Sequence, residues 1–120
     1  MILIKNAQVF APKALGKKDV LLAYDKILEI ADCIEPWRDD LTVIDAAGKM
    51  LVPGFIDQHV HIVGGGGEGG FNTRTPEFQL SKAVTSGVTT LVGLLGTDGY
   101  TKSPELLLAK TKALNNEGIT

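Results

Sequence analysis

Histidine and cysteine are both scarce in this chain: of 120 residues, two are His and one is Cys. A lone cysteine, Cys33, excludes an internal disulfide and any paired-cysteine metal knot, and it fits a reducing compartment. Aromatic residues make up 6%, and neither sign of charge dominates, since 12 Lys and Arg against 14 Asp and Glu leave a net charge of −2. There is no basic cluster with interleaved aromatics, so nucleic acid is not an expected partner. Apolar runs fall short of the roughly 18 residues that a membrane span needs. Met1-Ile2-Leu3-Ile4-Lys5 becomes charged too early for a signal peptide. A soluble, cytoplasmic protein with no membrane partner is therefore expected. Its composition, 44% hydrophobic and 22% charged, is that of an ordinary globular domain.

The first fifty residues read as short strands. Ile2–Phe10 is apolar with a polar interruption, and breaks are expected at Ala11-Pro12 and at Gly16-Lys17-Lys18. Val20–Ala23 and Ile27–Ala31 flank Tyr24-Asp25-Lys26, a tight hairpin. Thr42–Asp45 and Met50–Val52 flank a second turn at Ala47-Gly48-Lys49. Strands at this spacing predict a small sheet or sandwich, and nothing in them carries chemistry.

After Pro53 the rhythm changes. Gly54–Val63 reads as a strand and Gly64–Asn72 as a loop. Thr75-Pro76-Glu77 has the order of a helix start, cap then proline then acid, and Gly87 suits the helix end. Val88–Leu95 is nearly all apolar, as in a parallel strand buried on both faces. Ser103-Pro104-Glu105 repeats the start signal for a second helix running to Gly118, and Ile119-Thr120 reads as the first step of a third strand. The pattern is βαβα, and two parallel strands cannot cover their own faces. The chain is therefore expected to be the N-terminal part of a longer protein, with residues 1–52 in one domain and 53–120 opening another.

The two histidines stand two residues apart, in Asp57-Gln58-His59-Val60-His61. On an extended Phe55–Ile62, side chains alternate faces, which puts Asp57, His59 and His61 on one side. Paired neutral imidazoles at a strand end suit zinc and related divalent metals. Two unrelated core histidines are the alternative, but a glycine-rich loop follows at once, where a site needs room. That loop, Gly64 to Gly70 with Glu68 inside it, satisfies GxGxxG at Gly64, Gly66 and Gly69. A dinucleotide fold is disfavoured, because the helix does not open at the glycines and no acid ends the second strand at the usual offset. A phosphate loop is excluded by the missing Gly-Lys-Ser/Thr. The glycines instead let the backbone approach a ligand and offer amides to it. Glu68 reads equally well as a solvated loop acid or as a charge in the site. In parallel α/β folds sites form at C-terminal strand ends, so Thr97 and Asp98 join Glu68 at the rim.

Pro53-Gly54-Phe55-Ile56-Asp57-x-His59-x-His61, after a small β-region, resembles the metal-dependent amidohydrolase superfamily. The glycine run ending in Glu68, Thr73-Arg74-Thr75-Pro76-Glu77, and Leu94-Leu95-Gly96-Thr97-Asp98 are similar to its isoaspartyl dipeptidase branch. The resemblance implies an α/β fold: a β-sandwich portion, then the first two βα units of a (β/α)₈ barrel. It implies two Zn²⁺ per full-length subunit, with His59 and His61 as metal ligands and Asp57 as an acid supporting them. Gly66, Gly67, Glu68 and Thr97 would contact a small dipeptide, Glu68 facing its free α-ammonium. The implied carboxylated lysine, two further histidines and proton-handling aspartate have no counterpart in this chain, so no catalytic residue is assigned. Hydrolysis of β-aspartyl dipeptides by a homo-oligomer is expected of the full-length protein, and none from residues 1–120 alone. A cyclic amidase or deaminase of the same superfamily shares the histidine pair but does not need Glu68. A non-enzymatic scaffold of the same fold does not need the intact His59-x-His61.

Overall fold

A computed structural model describes residues 1–120, which divide into two compact units, Met1–Pro53 and Gly54–Thr120.

The first unit is one five-stranded sheet built on β1 (Ile2–Phe10). β2 (Ala14–Ala23) runs antiparallel to β1, and β3 (Lys26–Ala31) antiparallel to β2. The expected break at Gly16-Lys17-Lys18 does not occur. Gly16 pairs with Val9 at φ 79°, and the register slips beside it, so a bulge absorbs the glycine and the strand continues. β4 (Thr42–Asp45) and β5 (Met50–Leu51) both lie parallel to β1. The turn at Ala47-Gly48-Lys49 therefore does not reverse the chain but moves it one step along the same edge. Gly48 N donates to Asn6 O at 2.9 Å and Gln8 N to Lys49 O at 2.9 Å.

Neighbours on β2 feed opposite faces of this sheet. Leu21 packs with Leu3, Ile34 and Leu41, and Val20 packs with Ala7 and Val9. These residues belong to one sheet, a single layer. One buried charge holds the irregular middle of β1. Asp19, 3% exposed, accepts from Asn6 N at 2.8 Å and Ile34 N at 3.0 Å, with Lys5 Nζ 3.5 Å away. Burial pushes its carboxyl upward, but the Ile34 and Asn6 amides and the Lys5 ammonium outweigh that and hold it below its ordinary value.

In the second unit, β6 (Phe55–Val60) and β7 (Val88–Gly93) pair in parallel. Two helices, α1 (Leu80–Ser86) and α2 (Pro104–Asn116), join the segment after β6 in one core of Ile62, Val63, Ala83, Leu114 and Ile119. β7 is not buried on both faces as its sequence suggested; its residues are half-buried except Thr89 and Val92, which are exposed. β6 is exposed along nearly its whole length: Phe55 and Ile56, strand neighbours that point to opposite faces, are each 62% exposed. Thr120 lies beside β7 without forming a full strand: its N donates to Thr89 O at 3.1 Å and its O accepts from Leu91 N at 2.8 Å.

The second helix starts where its signals put it. The Ser103 side chain accepts from Leu106 N at 3.3 Å, and Pro104 opens the helix. The first does not. α1 begins at Leu80 behind Gln79, which makes no side-chain cap, so Thr75-Pro76-Glu77 stays outside the helix. Thr75 is otherwise engaged. Its hydroxyl accepts from Gly65 N at 2.8 Å, and its own N donates to Gly65 O at 2.8 Å, so it staples the glycine loop. Gly87 ends α1 in the left-handed region, at φ 71°, as expected.

Candidate active site

The site is built by two loops that leave the parallel strands at the same end: residues 61–79 after β6 and residues 94–103 after β7. β6 ends at Val60, so His61 stands just beyond the strand rather than within it, and the pairing is irregular between Asp57 and Val60. The two imidazoles nevertheless meet. Their centroids lie 5.2 Å apart with the rings at 89°. Asp57 Oδ1 accepts from the main-chain N of His59 at 3.1 Å, so its support goes to the backbone that carries the histidine.

His61 is held from the second loop. Its Nδ1 lies 3.4 Å from Leu94 O, and a proton placed there leaves the Nε2 lone pair free for a metal. Gly96 backs the ring at φ 77°, and a Cβ there would stand 3.0 Å from His61 Nδ1. Both its conformation and this approach call for glycine. The donor chemistry fits zinc, to which the pair would give two ligands of the three or four that zinc usually takes from protein. No group of three or more His, Cys, Asp or Glu side chains in the chain is placed to hold an ion.

Glu68 and Thr97, one from each loop, come together. Thr97 Oγ1 donates to Glu68 Oε1 at 2.6 Å. This hydroxyl, with the residue's own amide and the nearby Lys102 ammonium, holds the Glu68 carboxyl below its ordinary value, and the group is anionic at neutral pH. Two further ties join the same loops. Lys102, 8% exposed, donates from Nζ to Gly64 O. Arg74 Nε lies 3.1 Å from Asp98 Oδ2. Asp98 also accepts from the Thr101 hydroxyl and from the Thr101 and Tyr100 amides, and these bonds with the Arg74 charge bring its carboxyl down to about 2.

A cavity of about 270 Å³ opens between the loops, lined by Gly66, Gly67, Glu68, Arg74, Thr97 and Tyr100 among others. Four expected contact residues, Gly66, Gly67, Glu68 and Thr97, thus share one wall. The histidines do not line it; Gly96, where a Cβ would crowd His61, immediately precedes the lining residue Thr97. Sequence reasoning gave Arg74, Lys102 and Tyr100 no role. A charged residue in a loop reads as solvated, and only the folded loop places Lys102 under a carbonyl and Arg74 against an acid.

The family model described as Amidohydrolase family matches residues 42–111. The chain belongs to the amidohydrolase family. A crystal structure of β-aspartyl dipeptidase from Fervidobacterium islandicum AW-1, in complex with β-Asp-Leu, is 50% identical to this amidohydrolase over 99% of the chain, with a TM-score of 0.82. A D-hydantoinase from a Thermus species is 25% identical over 98% of the chain, with a TM-score of 0.66. By sequence, the chain is 37% identical over 108 residues to a dihydroorotase of Listeria monocytogenes, covering 89% of this chain and 24% of that one. The amidohydrolase chain spans 31% of the β-aspartyl dipeptidase structure and 24% of the hydantoinase. No helix in it is long and apolar enough to cross a membrane.

Proposed function

We propose that the complete protein is a zinc-dependent isoaspartyl dipeptidase, with β6–α1 and β7–α2 as the first two units of a (β/α)₈ barrel. The observation that carries this reading is the anionic Glu68, fixed by Thr97 in a cavity one loop residue away from the support of His61. An unblocked β-aspartyl dipeptide brings an α-ammonium, and a carboxylate held in advance is its natural acceptor. His59 and His61 would hold one of two zinc ions. Zinc held there would polarise the scissile carbonyl and make a nucleophile available at neutral pH. Gly66 and Gly67 let the backbone pass close to the substrate, and Thr97 keeps Glu68 aimed at the ammonium. The likeness to the β-aspartyl dipeptidase of Fervidobacterium islandicum, at 50% identity, supports the same reading.

A cyclic amidase is the second reading, favoured by the relatives named dihydroorotase. Dihydroorotate has no ammonium and carries a carboxylate, so beside Glu68 it leaves one charge unpaired and brings another of like sign. Kinetics of the zinc-loaded complete protein on β-Asp-Leu and on dihydroorotate separate the two. The dipeptide is expected to show a kcat/KM at least about a hundredfold higher. Preference for dihydroorotate would replace the dipeptidase reading with the cyclic one.

A further inference from the structure

The glycine run from Gly64 to Gly70 has little intrinsic rigidity: Gly64, Gly66, Gly67 and Gly70 all take positive φ, and glycine loses more freedom on ordering than any other residue. An acid carried on such a segment needs outside restraint to keep one position. Part of that restraint is the Thr97 hydroxyl on Glu68, but Thr97 sits on a loop of its own. One further residue on each loop closes the arrangement. Arg74 lies four residues beyond Gly70, and its side chain lies across Gly67, where a Cβ would meet Arg74 Cγ at 3.2 Å. The guanidinium then reaches Asp98, the residue after Thr97, with Nε 3.1 Å from Oδ2.

The Asp98 carboxylate divides its work between its two oxygens. Oδ1 accepts from Tyr100 N at 3.1 Å and Thr101 N at 3.0 Å, which folds the second loop. Oδ2 takes the Thr101 hydroxyl and faces Arg74. Its side chain is 5% exposed while that of Arg74 is 34% exposed, so the pair is screened from water on the acid's side.

Resting on the dipeptidase reading, we infer that Arg74 and Asp98 are positioning residues that clamp the glycine loop to the Thr97 loop and so set Glu68 for ammonium recognition. They act through Glu68 and do not touch the reacting atoms. The clamp therefore governs discrimination between free and blocked amino termini more than turnover itself.

The test is a mutant cycle in the zinc-loaded complete protein, read as the ratio of kcat/KM on β-Asp-Leu to that on its N-acetyl derivative. Arg74→Gln is expected to lower this ratio about tenfold, with zinc content and the rate on the acetylated substrate little changed. Asp98→Asn keeps an oxygen for the Tyr100 and Thr101 amides and loses the charge that faces Arg74, so it should reproduce the effect with the loop intact. Arg74→Lys should recover only part of the ratio, since an ammonium lacks the planar fork. In a Glu68→Gln background, where the ratio has already collapsed, adding Arg74→Gln should change it no further. A merely structural role would instead slow both substrates alike and would persist in that background. If Glu68→Gln collapses the ratio while Arg74→Gln and Asp98→Asn leave it intact, the clamp is refuted and the dipeptidase reading stands. If Glu68→Gln itself leaves the ratio intact, the reading of Glu68 fails, and the clamp fails with it.

Discussion

His61 is fixed by groups that its own strand does not supply: the Leu94 carbonyl 3.4 Å from Nδ1, and the bare backbone of Gly96. His59 has the Asp57 carboxylate on its main-chain N instead. Replacing either imidazole with Asn in the complete protein should strip metal and abolish hydrolysis, because a tight zinc site does not survive on fewer ligands. Metal analysis of the purified variants checks this, and full zinc content in both would contradict it. Asp19 makes a separate prediction for the first unit. Its carboxyl is held below its ordinary value by two amides and Lys5, so its stabilisation is complete above the unfolded-state value and is lost as pH falls below about 4. Asp19→Asn should cost about 2–3 kcal/mol at neutral pH, since it removes a charge from hydrogen bonds that lie out of water. It should also flatten the acid limb of stability against pH, measured by denaturant unfolding. An unchanged midpoint and an unchanged acid limb would show that the network contributes nothing.

At the scale of elements, what was legible followed local chemistry. Gly87 and Ser103-Pro104-Glu105 fulfil their signals because a left-handed glycine and a capped proline turn act on their own backbone. Thr75-Pro76-Glu77 carries the same signal and fails, because the glycine loop competes for the Thr75 hydroxyl and wins: the hydroxyl accepts from Gly65 N and donates to Gly65 O, and Thr75 N donates to Gly65 O as well. Gly16 was misread for a related reason: a bulge needs a partner strand, which a local reading does not contain. In the site, the histidine spacing and Glu68 were readable, as residue types whose chemistry is narrow. The ties from Leu94 O, Lys102 and Arg74 were not, because they join positions that only the fold brings together. The difference between the two cap sequences is testable. Ser103→Ala should destabilise by about 1 kcal/mol through loss of the cap. Thr75→Val should instead loosen the Gly65 region, read as faster amide exchange at residues 64–70 with α1 little affected. Equal losses of helicity from both substitutions would contradict the structure.

The whole molecule separates into a sheet unit with apolar clusters on both faces and an α/β unit whose core joins the two helices to the segment after β6. On the second unit Phe55, Ile56 and Val84 are 62%, 62% and 63% exposed. Apolar residues open to this extent beside a strand edge drive association. A polypeptide of residues 1–120 alone is therefore expected to self-associate on size exclusion, to bind zinc poorly through two histidines, and to leave β-Asp-Leu uncleaved. A monodisperse, zinc-loaded, active monomer would overturn the count of ligands on which the site rests. The central claim is narrower, that an anionic Glu68 beside the histidine pair reads a free α-ammonium. Its most direct test is the kcat/KM of the unmodified complete protein on β-Asp-Leu against N-acetyl-β-Asp-Leu. A loss of about ten- to a hundredfold on acetylation is the expected result, the worth of one charge-assisted hydrogen bond; equal rates on the two substrates would contradict the account.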